Sequence, residues 1–255
     1  MAQDIDFVLK TWKFRPDSVL ARLVTASDGR EVLQLRLELG LMQLEVADRP
    51  DGQRPGGFPT YFAYLQDLAS LAEQAGRRFV LDANQCDEAD REFMQFYHRR
   101  ICWMTLERFD RAVADAEHTL AFMDFVRDHS PNDEFTQAHE QYRSFVLFHW
   151  AQSKANAAQQ REDWEAALDA LRDGMERIHT FYRDHDREEE FEANLMVQQL
   201  QHQLASLRKR HGIPSTLEEQ LAAAIAAEDY ERAAQLRDAI KQRQSARRTE
   251  PDAEA

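Results

Sequence analysis

The 255-residue chain has only two cysteines, Cys86 and Cys102, and no C-x-x-C pair, so neither a disulfide framework nor a cysteine zinc site is indicated and two free thiols are expected. Long apolar runs are missing as well: nothing approaches the roughly eighteen uninterrupted apolar residues of a membrane span. The opening MAQDIDFVLK lacks the basic flank and apolar run of a signal peptide, so a soluble, cytoplasmic protein with no membrane role is expected. Glycine occurs at eight positions, none in a G-x-x-x-x-G-K-[ST] or G-x-G-x-x-G order, which removes the phosphate-cradle readings. There is no G-x-S-x-G elbow, and the nine histidines show neither H-x-x-x-H nor H-E-x-x-H spacing. Carboxylates are plentiful, but nothing distinguishes a catalytic pair from a solvated face. No catalytic residue, metal ligand set or cofactor is therefore assigned.

Positive charge is scarce where the chain is longest. The net charge is -14, and residues 61–205 hold 15 basic against 28 acidic side chains, whereas both ends are nearly neutral. An acidic middle repels a phosphate backbone, which argues against nucleic-acid binding there. Arg232, Arg237, Lys241, Arg243, Arg247 and Arg248 make the last helix locally basic, a pattern that a solvated helix face also explains.

Residues 18–46 are the one β-compatible stretch. Asp28-Gly29 marks a hairpin turn, and Leu33, Leu35, Leu37, Leu39 and Leu41 alternate as a half-buried strand does. After Gly40 the phase shifts to Met42, Leu44 and Val46, the mark of a bulge or sharp bend. Cover for this hairpin is expected from further strands, from the region of Trp12 and Phe14, or from the next helix. Residues 48–59, with three prolines and three glycines, read as a loop whose Arg49, Asp51 and Arg54 are available to an anion or a partner carboxylate.

From Thr60 the period becomes helical. Tyr61 to Leu71 form one run ended by Gly76, and Asp87-Glu88-Ala89-Asp90 reads as a helix start leading to the Phe93–Met104 stripe. A partner helix carries Phe109 to Met123. Ser130-Pro131 marks a new start before Tyr142 to Trp150, Trp164 to Tyr182 have the best one-sided spacing, and a helix bearing Phe191 to Leu207 is stopped by Gly212 and Pro214. Three segments share a plan of an aromatic, an acid and small residues: RFDRAVADAE at 108–117, DWEAALDALR at 163–172 and DYERAAQLRD at 229–238. The aromatic is expected to wedge at the elbow of a helical hairpin while the following alanine lets the helices close. The offsets of 55 and 66 residues exceed the tetratricopeptide period of about 34, so the likeness lies in the start of each second helix.

The segment Thr216–Ser245 is a two-helix hairpin in its own right. Thr216 and Glu219 form a capping-box pattern, Leu217, Leu221 and Ile225 share a stripe, and Tyr230, Ala233, Ala234, Leu236 and Ile240 recur at helical spacing after Asp229. With Glu231, Arg237 and Asp238 these residues resemble the UVR motif of the B and C subunits of the bacterial excision-repair nuclease and of Clp protease regulators. Tyr230 stands where Phe is commoner. The resemblance implies a docking element that pairs with another copy on a partner or a second subunit, through Leu221, Ile225, Tyr230, Glu231, Ala233, Ala234, Leu236, Arg237 and Ile240. Regulators of the Clp kind also carry paired cysteines for zinc, which this chain lacks. The alternative is a hairpin that merely caps a helical array.

The expected architecture is mainly α. A small β-hairpin-containing head (residues 1–59) precedes an irregular, tetratricopeptide-like array of helical hairpins (60–212), followed by the UVR-like hairpin and a disordered tail (213–255). The expected function is a non-enzymatic bacterial adaptor whose partner is another UVR-motif protein or a second copy. The alternatives are an accessory factor of excision repair that touches DNA or the nuclease subunits, and an enzyme using the head.

Overall fold

The computed structural model describes residues 4–249, with the side chains of all of these except 218, 219, 222, 226 and 242–249. It is mostly helical, with a three-stranded sheet near the N-terminus. The chain divides into two compact units, Met1–His202 and Gln203–Ala255.

In the first unit a short helix, α1 (Asp6–Thr11), precedes an antiparallel meander of β1 (Ala21–Thr25), β2 (Glu31–Leu37) and β3 (Gly40–Glu45) in the order β1-β2-β3. The leucine alternation buries Leu33 and Leu35 of β2 but already fails at Leu37, the strand's last residue, which is exposed, and the reason is local. The chain turns at Glu38-Leu39, Gly40 pairs with Leu37, and Leu39 is exposed, so the phase shift at Gly40 is a second hairpin bend that adds a strand. Leu33 and Leu44 face one another across the sheet and are buried with Leu35 against Cys102, Trp103 and Ala112. On the other face Arg36 is buried, donating to the carbonyls of Trp12, Leu37, Glu38 and Gly40. Arg22 stacks 4.3 Å from the Trp12 ring, so this N-terminal segment is held to the sheet.

Helix α2 (Tyr61–Gln74) starts where Thr60 Oγ1 accepts from Ala63 N. Helix α3 (Ala83–Thr105) begins with a full capping box between Asp82 and Gln85, stronger than any signal further on. Asp87–Asp90 accordingly lies a turn inside the helix instead of at its start. Helix α4 is Phe109–His129 and α5 is Asp133–Glu140. The cap of α5 is Asn132, which accepts from Phe135 N at 2.8 Å, two residues beyond the expected Ser130. Then come α6 (Arg143–Gln160), α7 (Trp164–Asp184) and α8 (Leu195–His211). Phe191 precedes α8 because Asn194 accepts from Met196 N and Val197 N and sets the start there.

The 48–59 loop is fastened inward. Arg49 is 1% exposed, pairs with Glu88 at 2.9 Å and Asp51 at 3.4 Å, and lies 3.6 Å from the buried Glu92, so it is unavailable to an outside anion. Gln95 Nε2 donates to Asp51, and Arg99 donates to the carbonyls of Glu45 and Asp48 while gripping Asp115. Of the three polar residues expected to face outward, Arg49 is buried, whereas Asp51 is exposed but paired with Arg49 and Gln95, and Arg54 is exposed near Asp48. The head and the helices thus share a core and a buried polar network. Helices α3, α4, α6 and α7 pack in succession, and Phe62, Phe93 and Phe122 stack at 4.9 and 4.6 Å under α2.

In the second unit α9 (Leu217–Ala226) and α10 (Tyr230–Thr249) form a hairpin after Gly212, which takes φ 65° at the end of α8. The expected Glu219 half of the capping box lies outside the described side chains, as does the tail beyond Thr249 outside the described residues.

Candidate functional site

The three segments with a common sequence plan also share one turn. Glu107, Glu162 and Glu228 each stand two residues before the aromatic, and all adopt left-handed backbone, with φ 55°, 58° and 56°. The next residue closes the same bond in each case: Arg108 N to Trp103 O, Asp163 N to Ala158 O, and Asp229 N to Ala224 O, at 2.9, 3.0 and 2.8 Å. This bond reaches back over the end of the preceding helix and satisfies a carbonyl that would otherwise be orphaned. Asp163 and Asp229 then cap the next helix, accepting from Ala166 N and Arg232 N at 3.0 Å. The residue three after the aromatic is buried every time: Ala112, Ala167 and Ala233. The small side chain closes the hairpin as expected. The aromatic does not act alike in all three, because Phe109 and Trp164 are half-buried while Tyr230 is 70% exposed, so at the third elbow there is no wedge.

The C-terminal hairpin encloses a small core of Ala224, Ala233 and Leu236, with Leu217 and Leu221 packed against it. Each leucine contributes about 1.5–3 kcal/mol when fully buried, so three of them stabilise a short hairpin only modestly. The nine residues named from sequence divide by face. Ala233 and Leu236 are buried, Leu221, Ala234 and Ile240 are half-buried, and Glu231 and Arg237 are exposed. Ile225 is 55% and Tyr230 70% exposed, and they flank the turn from opposite helices. Arg237 lies 3.6 Å from the Asp238 carboxylate, both well exposed, a pair worth little. The Arg243, Arg247 and Arg248 side chains lie outside those described. Sequence reasoning missed the left-handed Glu228 and the core role of Ala224. The repeated Glu two residues before an aromatic was the available signal for the first.

Elsewhere Cys86 and Cys102 are free and buried, and burial pushes the Cys102 thiol up to about 12. Among the described residues no group of His, Cys, Asp and Glu is arranged to hold a metal ion, and no helix is long and apolar enough to cross a membrane.

No curated protein and no solved structure matches the chain. The UVR family model, described as the UvrB/uvrC motif, matches residues 215–245, so the hairpin with its exposed Ile225 and Tyr230 is a UVR-motif segment.

Proposed function

We propose that this chain is a non-enzymatic, cytoplasmic docking adaptor whose C-terminal hairpin pairs with a second UVR-type hairpin, on another protein or on a second copy, while the tetratricopeptide-like helical body carries it. The observation behind this reading is the exposure of Tyr230. At the two equivalent elbows in the body the aromatic is half-covered, whereas in the hairpin it stands 70% exposed beside a 55% exposed Ile225, within the UVR-motif segment. A second hairpin laid against that end covers both side chains and both of its own.

Four such side chains gain about 6–12 kcal/mol on full burial, and association itself costs on the order of 4–15 kcal/mol, so pairing through this end alone is weak and concentration-dependent. Leu221, Ala234 and Ile240, half-buried in the free hairpin, add to the contact. The nine residues from Leu221 to Ile240 named above are the docking set, with Ala233 and Leu236 acting through the hairpin's own core.

The test is affinity capture from a lysate by the full chain and by a chain lacking residues 213–255, repeated at rising salt. Docking through an apolar end predicts capture that needs the hairpin and changes little with salt. Retention on a polyanion that collapses steeply with salt, through the basic face of α10, moves the reading to a nucleic-acid accessory.

A further inference from the structure

A cavity of about 490 Å³ lies within the first unit, lined by α3, α4, α5 and the start of α6. Its volume falls in the range of roughly 300–1,000 Å³ usual for small-molecule sites. The walls are apolar and aromatic, formed by Phe93, Met94, Tyr97, Met123 and Phe145. Met94 and Tyr142 are 52% and 57% exposed and form the mouth, while Arg100 is 1% exposed and forms the closed end.

The partners of Arg100 are all neutral. Nε donates to His149 Nδ1 at 3.3 Å and Nη1 to Thr119 Oγ1 at 3.0 Å. The Thr119 hydroxyl spends its single proton on the Asp115 carbonyl, so toward Arg100 it can only accept. The Asp115 carboxylate belongs to Arg99, which holds it through Nε and Nη2. Among the described residues no carboxylate forms an ion pair with Arg100, and its Nη2 makes no hydrogen bond to the protein. Burial lowers its pKa to about 10, which leaves it charged at neutral pH. The Asp115 carboxylate favours the charged form of Arg100 only through space, because it is bonded to Arg99, so the buried guanidinium is under-compensated and an anion entering the cavity offsets that deficit.

We propose that this cavity binds an amphipathic carboxylate, a medium-chain fatty acid, with the carboxylate on the free N–H groups of Arg100 and the chain along Phe93, Met94, Tyr97 and Phe145. One cation matches one negative charge. A phosphate dianion would bring a second charge with no second cation among the described lining residues free to meet it, since His139 in the lining is already engaged by Asp90 and the Phe135 carbonyl, and a neutral ligand would leave Arg100 under-compensated. Thr119 and His149 are positioning residues that hold the guanidinium plane toward the cavity. The site is independent of the hairpin and of its docking role.

The experiment is isothermal titration of the delipidated full chain with decanoate, with decanol, and with a short apolar peptide ending in a free carboxylate. Saturable single-site binding of decanoate is expected, with decanol and the peptide weaker by at least about tenfold. Arg100→Met should bring decanoate down to the level of decanol. Because that change also removes a buried charge, Met94→Glu at the exposed mouth is measured beside it. That variant should lose about tenfold or more in decanoate affinity with an unchanged melting temperature. Absence of saturable binding, equal affinity for decanol, a peptide that binds as tightly as decanoate, or indifference to both substitutions would overturn the proposal.

Discussion

Gly174 of α7 sits against Ala151 of α6 so closely that a Cβ added to the glycine would lie 2.2 Å from the alanine Cβ. Both positions are buried mid-helix, and neither helix can yield without moving its neighbours. Glycine inside a helix costs about 0.5–1 kcal/mol relative to alanine, so Gly174→Ala would be stabilising if only propensity counted. The contact decides otherwise. Gly174→Ala is predicted to destabilise by about 1–3 kcal/mol, read as a shifted urea midpoint, and Ala151→Gly in the same chain to recover part of the loss.

Glu92 carries a second internal dependence. Its fully buried carboxylate accepts from Tyr61 N at 2.6 Å and Phe62 N at 3.1 Å, closing the first turn of α2 from α3, with His118 Nε2 at 3.1 Å and Arg49 beside it. Removing it orphans two helix donors and leaves a buried arginine less well compensated. Glu92→Ala is predicted to cost about 3–5 kcal/mol in chemical denaturation, and Glu92→Gln less, since an amide oxygen still accepts.

His149 gives the fold a pH dependence of known sign. Burial first, and Arg100 second, hold its folded pKa down to about 3 against 6.5 for a free side chain. The folded state therefore resists protonation that the unfolded chain accepts. Stability from this group is complete above about pH 6.5 and falls toward pH 3, by on the order of 1.4 kcal/mol per unit within the window. His98, lowered by burial, acts in the same direction. Denaturation midpoints at pH 7, 6 and 5 should decline, and His149→Gln, which keeps an acceptor for Arg100, should flatten the decline.

The left-handed glutamates predict a gain. Glu162 is exposed at φ 58°, a conformation that costs a non-glycine residue about 1 kcal/mol. Glu162→Gly should raise stability by about that amount, and Glu162→Val lower it by at least as much. If both variants melt as the parent does, the shared turn is not strained.

Most helices were legible because one-sided apolar spacing and caps act locally: Thr60, Asp163 and Gly212 each mark a boundary that stands in the fold. What was misread depends on competition or on distance. Ser130 lost to Asn132 and Asp87 to Asp82, since several residues that can cap stood within a few positions of one another. Arg49 looked like a surface charge because its partners Glu88 and Glu92 lie about forty residues on. Arg100 belonged to a visible stripe, but nothing in its neighbours' identity showed that Arg99 alone takes Asp115. In the hairpin the motif and its buried Ala233 could be read directly. The exposure of Tyr230 could not, because the same aromatic is half-buried at the other two elbows.

The docking account is tested most directly by partner capture with Tyr230→Asp and Ile225→Asp, each paired with a melting curve. Both side chains are mostly exposed, so the account predicts melting temperatures unchanged from the parent and capture reduced by about tenfold or more, as an aspartate is forced into an apolar contact. Capture that survives both substitutions, or a loss of capture accompanied by an equal loss of stability, would contradict it and leave the hairpin as a cap on the helical body.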